Sequence, residues 1–391
     1  MTKTMKVLPR DAERALLLGR VWLPGVGPAV VTVRQGKAID ISQSHPLSAL
    51  LLNEAEPAKA LAAAAAKGRD LGPIAATIDN SEEPRRDEAK PFLLAPVDLQ
   101  AIKACGVTFA ASLLERVIEE RTKGDPRAAD AIRNKLMGEL GVDLTAVKPG
   151  SEAARKAKEM LLGRGLWSQY LEVGIGPDAE VFTKAQPMSA LGHGARIGVH
   201  PASLWSNPEP EVVLVVDARG RLVGATLGND VNLRDFEGRS ALLLGRGKDN
   251  NGSCAIGPFI RLIDGSFGIE DVRKADLALE IAGTDGFRLE AGSSMSRISR
   301  DPLDLIGQTM GNTHQYPDGM VLFTGTMFAP TKDRDRPGEG FTHKPGDRVA
   351  ISSEKLGTLA NTVHHADRIA PWDFGVIALM RNLATRQLLP H

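Results

Sequence analysis

Three carboxylates in one short stretch carry the strongest chemical signal in the chain. The segment 207–239 reads NPEPEVVLVVDARGRLVGATLGNDVNLRDFEGR. Glu209 and Glu211 are two residues apart, so on an extended strand they point to one face. The strand leaving Glu211 turns at 217–220 and returns through 221–228. If the two runs pair as a hairpin with Asp217 opposite Arg221 or Leu222, Glu209 falls opposite Asn229 or Asp230. Glu209, Glu211 and Asp230 then converge at the open end. Convergent carboxylates repel one another and require protons, cationic neighbours or a metal. Oxygen-only donors suit a hard cation such as Mg2+, with Mn2+ and Ca2+ as alternatives. On spacing alone, the competing reading is a solvated acidic edge whose start Pro210 blunts.

The elements that must position this group follow from patterning. Residues 1–95 read as a smaller N-terminal α+β domain. Short apolar runs broken by Gly and Pro over 18–42 predict strands and a hairpin. The alanine-rich run AEPAKALAAAAAKG predicts a helix with Gly68 as its C-cap. The polar stretch SEEPRRDEAK at 81–90 reads as a linker. Residues 96–391 read as the catalytic domain. Two helical pieces over 113–140, and a third over 152–163, interrupt a strand-rich chain and suggest a lid. After residue 178 strands dominate, apart from a helix that Asp301 caps with Pro302 at its first position. Without regular βα alternation, an antiparallel or mixed β core is favoured over a doubly wound sheet.

Composition removes several classes. Apolar residues make up 42% and charged residues 25%, an ordinary globular balance. Lys plus Arg equals Asp plus Glu at 48 each, which argues against a nucleic-acid binder. Aromatics at 4% argue against base-stacking platforms. Cys105 and Cys254 are too few for a disulfide framework and read as buried thiols of a cytoplasmic protein. No run has the length of a membrane span, and the N-terminus lacks the shape of a signal peptide. GRGK at 245–248 fails the phosphate-loop spacing, because Leu242 stands five before Gly247 and Asp249 follows the lysine. No Cys/His zinc pattern is present.

Several ordered motifs resemble the fumarylacetoacetate hydrolase superfamily. They are the Glu-x-Glu pair Glu209 and Glu211, Asp230 in an Asn-Asp-Val turn, Arg234–Asp235 behind it, and Lys248 in GRGKDNNG. LFTGTMFAP supplies Gly325 and Thr326, and Gly346–Asp347 follows. The resemblance covers roughly 96–385 and implies a mixed β-roll catalytic domain of α+β class with a helical lid and a central divalent metal. It implies a homodimer or homotetramer as well.

Hydrolases of this superfamily carry a His-x-x-Glu pair on the lid. The matching stretch here keeps Glu115 but places Ser112 at the histidine position. A serine hydroxyl cannot replace imidazole as a base near neutral pH. The runs GVTFAASLLERVIEER, GLWSQYLEVGIGPDAEVFTK and HQYPDGMVLFTGTMFAP instead resemble a dehydratase branch acting on 2-keto-3-deoxy pentonates. The resemblance therefore implies Mg2+-assisted dehydration of a small 2-keto-3-deoxy sugar acid. Glu115, Ser112 and Lys184 are the catalytic candidates; Lys248, His314, Gln315, Tyr316 and Thr326 are the substrate-binding candidates. The rival readings are an acylpyruvate-type C–C hydrolase on the same scaffold and a silent metabolite-binding protein.

Overall fold

The structure, a computed structural model, describes residues 7–139, 143–144, 147–328, 332–336 and 340–389. Leu140, at the end of the expected second helical piece, and Ala329–Pro330, at the end of LFTGTMFAP, lie outside them.

The run EVVLVV is β-branched and apolar with no alternation, the pattern of a strand covered on both faces. It forms the strand Pro210–Val216, buried throughout. Val212, Leu214 and Val216 pack into one hydrophobic cluster, and Val213 and Val215 into another on the opposite face. This strand lies in an eleven-stranded mixed sheet. The spatial order is Arg69–Pro73, Lys37–Asp40, Gly27–Arg34, Leu17–Leu23, Cys254–Leu262, Leu222–Asp230, Pro210–Val216, Met320–Phe323, Ala101–Gly106 and Glu180–Ala185. Phe92–Leu94 pairs with Leu17–Leu23 off that path. A second, five-stranded sheet built on Asp276–Ala282 and Arg348–Ser353 packs across the first cluster through Leu279, Ile351 and Leu359. Parallel pairing of Met320–Phe323 with Ala101–Gly106 makes the main sheet mixed, as the α+β expectation requires.

The boundary expected near residue 95 does not divide two sheets. Leu17–Leu23 pairs antiparallel with Cys254–Leu262, so strands of the N-terminal segment extend the catalytic sheet. Leu51, Leu52 and Leu61 share a cluster with Val213 and Ile256. The linker reading rested on polarity, and polarity does not report pairing partners far away in sequence. The alanine helix forms over Pro57–Lys67. Gly68 ends it in extended, not left-handed, backbone; a Cβ there would meet the Asp40 carbonyl at 2.8 Å, so close approach explains the glycine. Asp301 caps the Pro302–Thr309 helix through the Leu303 N–H at 2.9 Å, as expected.

The helical insertion begins with Ala110–Thr122, which ends at left-handed Lys123 and Gly124. It packs on the short helix Arg234–Arg239 through a glycine contact. A Cβ on Gly238 would meet Gly124 N and Cα at 2.8 Å and the Glu119 carbonyl at 2.9 Å. All of these are backbone atoms, so neither side can yield cheaply. Gly238→Ala is expected to destabilise the protein by roughly 1–3 kcal/mol, read as a lower urea midpoint. An unchanged midpoint would mean that the two helices are not held at this distance.

Candidate metal centre and its cavity

The hairpin register brings the three carboxylates together. The Asp217 N–H donates to the Arg221 carbonyl, and the Asp230 N–H to the Glu209 carbonyl at 3.1 Å. Glu211 pairs opposite Gly228 in the same ladder, so all three acids share one face. Glu209, Glu211 and Asp230 are buried, and one oxygen of each lies within 4.8 Å of the other two.

Cations surround the triad without filling it. Lys248 Nζ lies 2.7 Å from Glu209 Oε2 and 3.2 Å from Asp230 Oδ2. Lys184 Nζ lies 2.9 Å from Asp230 Oδ1 and donates to the Lys248 carbonyl. Arg116 reaches from the Ala110–Thr122 helix to Glu209 Oε1 at 2.8 Å and binds Glu119 and Glu237 as well. Glu211 receives only the Gly325 N–H, at 2.6 Å, among the described residues. Gly325 has φ +87°, and a Cβ there would meet Thr108 Oγ1 at 2.1 Å, so glycine is required for that N–H to point inward.

Two further acids complete the cavity wall. Glu180 faces in from Glu180–Ala185, opposite Gly106 in the ladder. A Cβ on Gly106 would sit 1.9 Å from Glu180 Oε2, so this glycine makes room for the carboxylate. Glu237 enters from the Arg234–Arg239 helix. The five acids, Glu180, Glu209, Glu211, Asp230 and Glu237, face three cations, Arg116, Lys184 and Lys248. Acids outnumber cations there, and an all-oxygen triad suits a hard cation.

Proton affinities follow from the same crowding. Burial, then repulsion from Asp230 and Glu209, pushes the Glu211 carboxyl well above its usual range. Burial likewise raises Glu180, against the pull of Arg116 and Lys248. Glu237 is pushed up to about 7 by burial, partly offset by Arg116 and Lys248. Burial also opposes ionisation of Asp230, but Lys184 and Lys248 outweigh it and hold this acid below its ordinary value.

The remaining sequence candidates divide. Ser112, Lys248 and Thr326 line the cavity. The Ser112 hydroxyl donates to the Phe109 carbonyl at 2.9 Å, within its own helix. Glu115 does not reach the cavity. It is tied to Arg133 at 2.9 Å and Arg234 at 2.8 Å, and these cations outweigh burial and keep its carboxyl below the ordinary range. Ser112 and Arg116 are four apart and share the inward helical face, whereas Glu115 and Glu119 share the face turned to Arg234. Lys184 is fully buried behind Asp230 and absent from the lining; it orients a carboxylate instead of meeting substrate. His314, Gln315 and Tyr316 sit in a turn before Met320–Phe323, with Tyr316 beside Lys103. Gly325 and Thr326 follow that strand, so the turn is at its opposite end, away from the cavity. Sequence reasoning missed Arg116, Glu180 and Glu237. A signal for Glu180 was present: it stands four before Lys184, on the same strand face.

The family model for the fumarylacetoacetate (FAA) hydrolase C-terminal region matches residues 162–364, just over half of the chain. The chain belongs to the fumarylacetoacetate hydrolase family. Two curated relatives share 33% identity with it. One is the 2-dehydro-3-deoxy-D-arabinonate dehydratase of Saccharolobus solfataricus, matched over 209 residues, 54% of this chain and 65% of the relative. The other is the "Probable 2-keto-3-deoxyxylonate dehydratase" of Haloferax volcanii, matched over 195 residues, 50% of this chain and 63% of the relative. The chain thus spans just under two-thirds of each relative's length. A solved 2-keto-3-deoxy-D-arabinonate dehydratase, complexed with magnesium and 2,5-dioxopentanoate, has the same fold. Its TM-score is 0.59 at 22% identity, covering 89% of this chain and 99% of that one. Among the described residues no helix is long and apolar enough to cross a membrane.

Two outcomes follow for this member of the family. Mg2+ must displace the proton that Glu211 holds below its raised pKa. Affinity for Mg2+ should therefore rise with pH, and binding should release protons in calorimetry across buffers. Glu211→Ala should weaken binding by about tenfold or more while the fold survives; retained affinity would remove Glu211 from the site. Glu115→Gln should cost roughly 1–3 kcal/mol of stability by breaking buried ion pairs, and should lower turnover less than about tenfold. A loss of turnover at unchanged stability would return Glu115 to the chemistry.

Proposed function

We propose that this chain is a metal-dependent dehydratase that converts 2-keto-3-deoxy-D-xylonate to 2,5-dioxopentanoate and water in oxidative pentose catabolism. The observation that carries the reading is the composition of the cavity: buried carboxylates line it, and no histidine does among the described residues. Hydrolysis requires a base that makes water nucleophilic at a carbonyl carbon. Elimination requires only that protons move between C3, a carboxylate and the departing hydroxyl. Both curated relatives carry dehydratase names, which supports the same choice.

Glu209, Glu211 and Asp230 are the residues that would hold Mg2+, with Mn2+ or Ca2+ as alternatives, and the solved magnesium complex of similar fold supports that assignment. A divalent ion bound there supplies Lewis-acid polarisation of a 2-keto acid. Lys248 and Lys184 keep Asp230 ionised, and Lys248 holds Glu209 beside it. Glu180 is the group placed to take the C3 proton, because burial raises its proton affinity and no cation pairs with it within 4.0 Å among the described residues. The C4–O bond then breaks, the hydroxyl leaves as water on receiving a proton, and a C3–C4 double bond remains; loss of a C5 proton with protonation at C3 gives the C5 enol, which becomes the aldehyde when its hydroxyl proton moves to C4. Ser112, with its own proton committed to Phe109, offers lone pairs to a water or substrate hydroxyl. Thr326 adds a hydroxyl at the rim. Two buried, unpaired thiols are in keeping with a cytoplasmic enzyme. Assembly as a homodimer or homotetramer belongs to the same reading and is open to light scattering.

With Mg2+, the protein should release an aldehyde from 2-keto-3-deoxy-D-xylonate and leave acylpyruvates nearly uncleaved. Glu180→Gln should reduce that rate by about 10²–10⁴-fold. Rapid pyruvate release from an acylpyruvate, with the sugar acid untouched, would replace this reading by the C–C hydrolase.

A further inference from the structure

Glu237 has one oxygen that accepts no hydrogen bond among the described residues. Its Oε2 is bound by Arg116, while its Oε1 is buried and accepts no hydrogen bond among the described residues. Lys248 Nζ stands 3.6 Å from Oε1, beyond hydrogen-bonding distance. The side chain is buried, lines the cavity, and is fixed from behind by the glycine contact between its helix and Gly124. It is not one of the three triad acids. A buried acceptor left unpaired is costly unless a ligand or water supplies a donor.

The chemistry of that donor can be deduced. An ionised carboxylate only accepts. The carboxylate and keto oxygens of a 2-keto acid also only accept, so they cannot satisfy Oε1. Hydroxyls farther along the chain can. One guanidinium links Glu237 to the triad acid Glu209 through its two terminal nitrogens. Lys248 Nζ stands between Glu209 Oε2, at 2.7 Å, and Glu237 Oε1, at 3.6 Å, so Oε1 lies one ammonium's span from the triad, about where the far carbons of a five-carbon acid reach. At pH 8, above its pKa of about 7, Glu237 is mainly ionised and accepts, whereas the C4 hydroxyl must depart with a proton. The C5 hydroxyl stays on the molecule while the C4–O bond breaks.

We propose that Glu237 recognises the terminal hydroxyl of the substrate and so selects hydroxylated 2-keto acids over acylpyruvates. This rests on the dehydratase reading above. Calorimetry at pH 8 in saturating Mg2+ tests it with two inert ligands, 2-oxopentanoate and 5-hydroxy-2-oxopentanoate. Neither has a C4 hydroxyl to lose. The unaltered protein should bind the hydroxylated acid about tenfold tighter or more, as for a hydrogen bond to a charged acceptor. Glu237→Gln should shrink the preference to roughly threefold or less, because a neutral partner bonds more weakly. Its affinity for 2-oxopentanoate should stay within about twofold, because the triad is untouched. Equal affinity for the two acids in the unaltered protein overturns the inference, whether or not the variant folds. Equal weakening of both acids in Glu237→Gln overturns it too, leaving Glu237 as a prop for Arg116. A tenfold preference without any dehydration of the sugar acid supports the hydroxyl site while ending the dehydratase reading.

Discussion

Repulsion among buried carboxylates is the constraint around which this protein is built. Five acids face one narrow cavity, and each would carry a desolvation penalty of several kcal/mol if left uncompensated. Two buried lysines and one half-buried arginine meet that cost, and each arrives from a different element. Arg116 comes from the helical insertion, Lys184 from an edge of the main sheet, and Lys248 from the short helix after the metal loop. The charge balance thus ties together parts of the chain more than a hundred residues apart. Lys248 is itself buried; burial favours its neutral form, but Asp230, Glu209 and Glu237 outweigh that and hold it protonated.

The same economy explains the helical insertion. Its first helix presents Ser112 and Arg116 to the cavity and Glu115 and Glu119 to Arg234. Arg234 and Glu237 stand on one short helix, so each of two packed helices gives the other both a cation and a carboxylate. A glycine on each side lets the backbones close to contact distance. With partners on both faces, this part of the insertion is a clamped wall of the site. That differs from the lid expected from its composition, and local ion pairing is what composition does not record.

The convergence of the three carboxylates was legible in the sequence because it is local. A two-residue spacing, one turn and one register place Glu209, Glu211 and Asp230, and strand geometry allows few alternatives. Lys248 and Gly325 were legible from motif context. Glu115 was misassigned by a single position: its neighbour Arg116 is rotated by about 100° on the helix, and that rotation separates an ion pair with Arg234 from a place in the cavity. Lys184, expected beside the substrate, is buried behind Asp230 instead. His314 to Tyr316 failed because sequence proximity to Thr326 ignores the strand between them. Glu180 had only its four-residue spacing from Lys184 to mark it, and Glu237 had no spacing rule; Gly106 opposite one and Gly124 behind the other make room for them, and both contacts are tertiary.

The placement of those two acids bears on how one scaffold changes reaction. A hydrolase must activate water, and imidazole is matched to that at neutral pH. With Ser112 on that helical face and its proton turned back to Phe109, water there meets lone pairs and no base of comparable strength. Two acids outside the triad whose proton affinity is raised, Glu180 and Glu237, stand elsewhere. Both owe it to burial, and burial in turn depends on Gly106 and Gly238 admitting close contacts. Reaction type is therefore set less by the metal ligands than by which walls of the cavity carry protonatable groups. A histidine restored at residue 112 would add a base on a wall whose neighbouring Arg116 already binds three carboxylates. That guanidinium would disfavour an imidazolium beside it, so one substitution would not convert elimination into hydrolysis; Arg116 and its carboxylate partners would have to change with it.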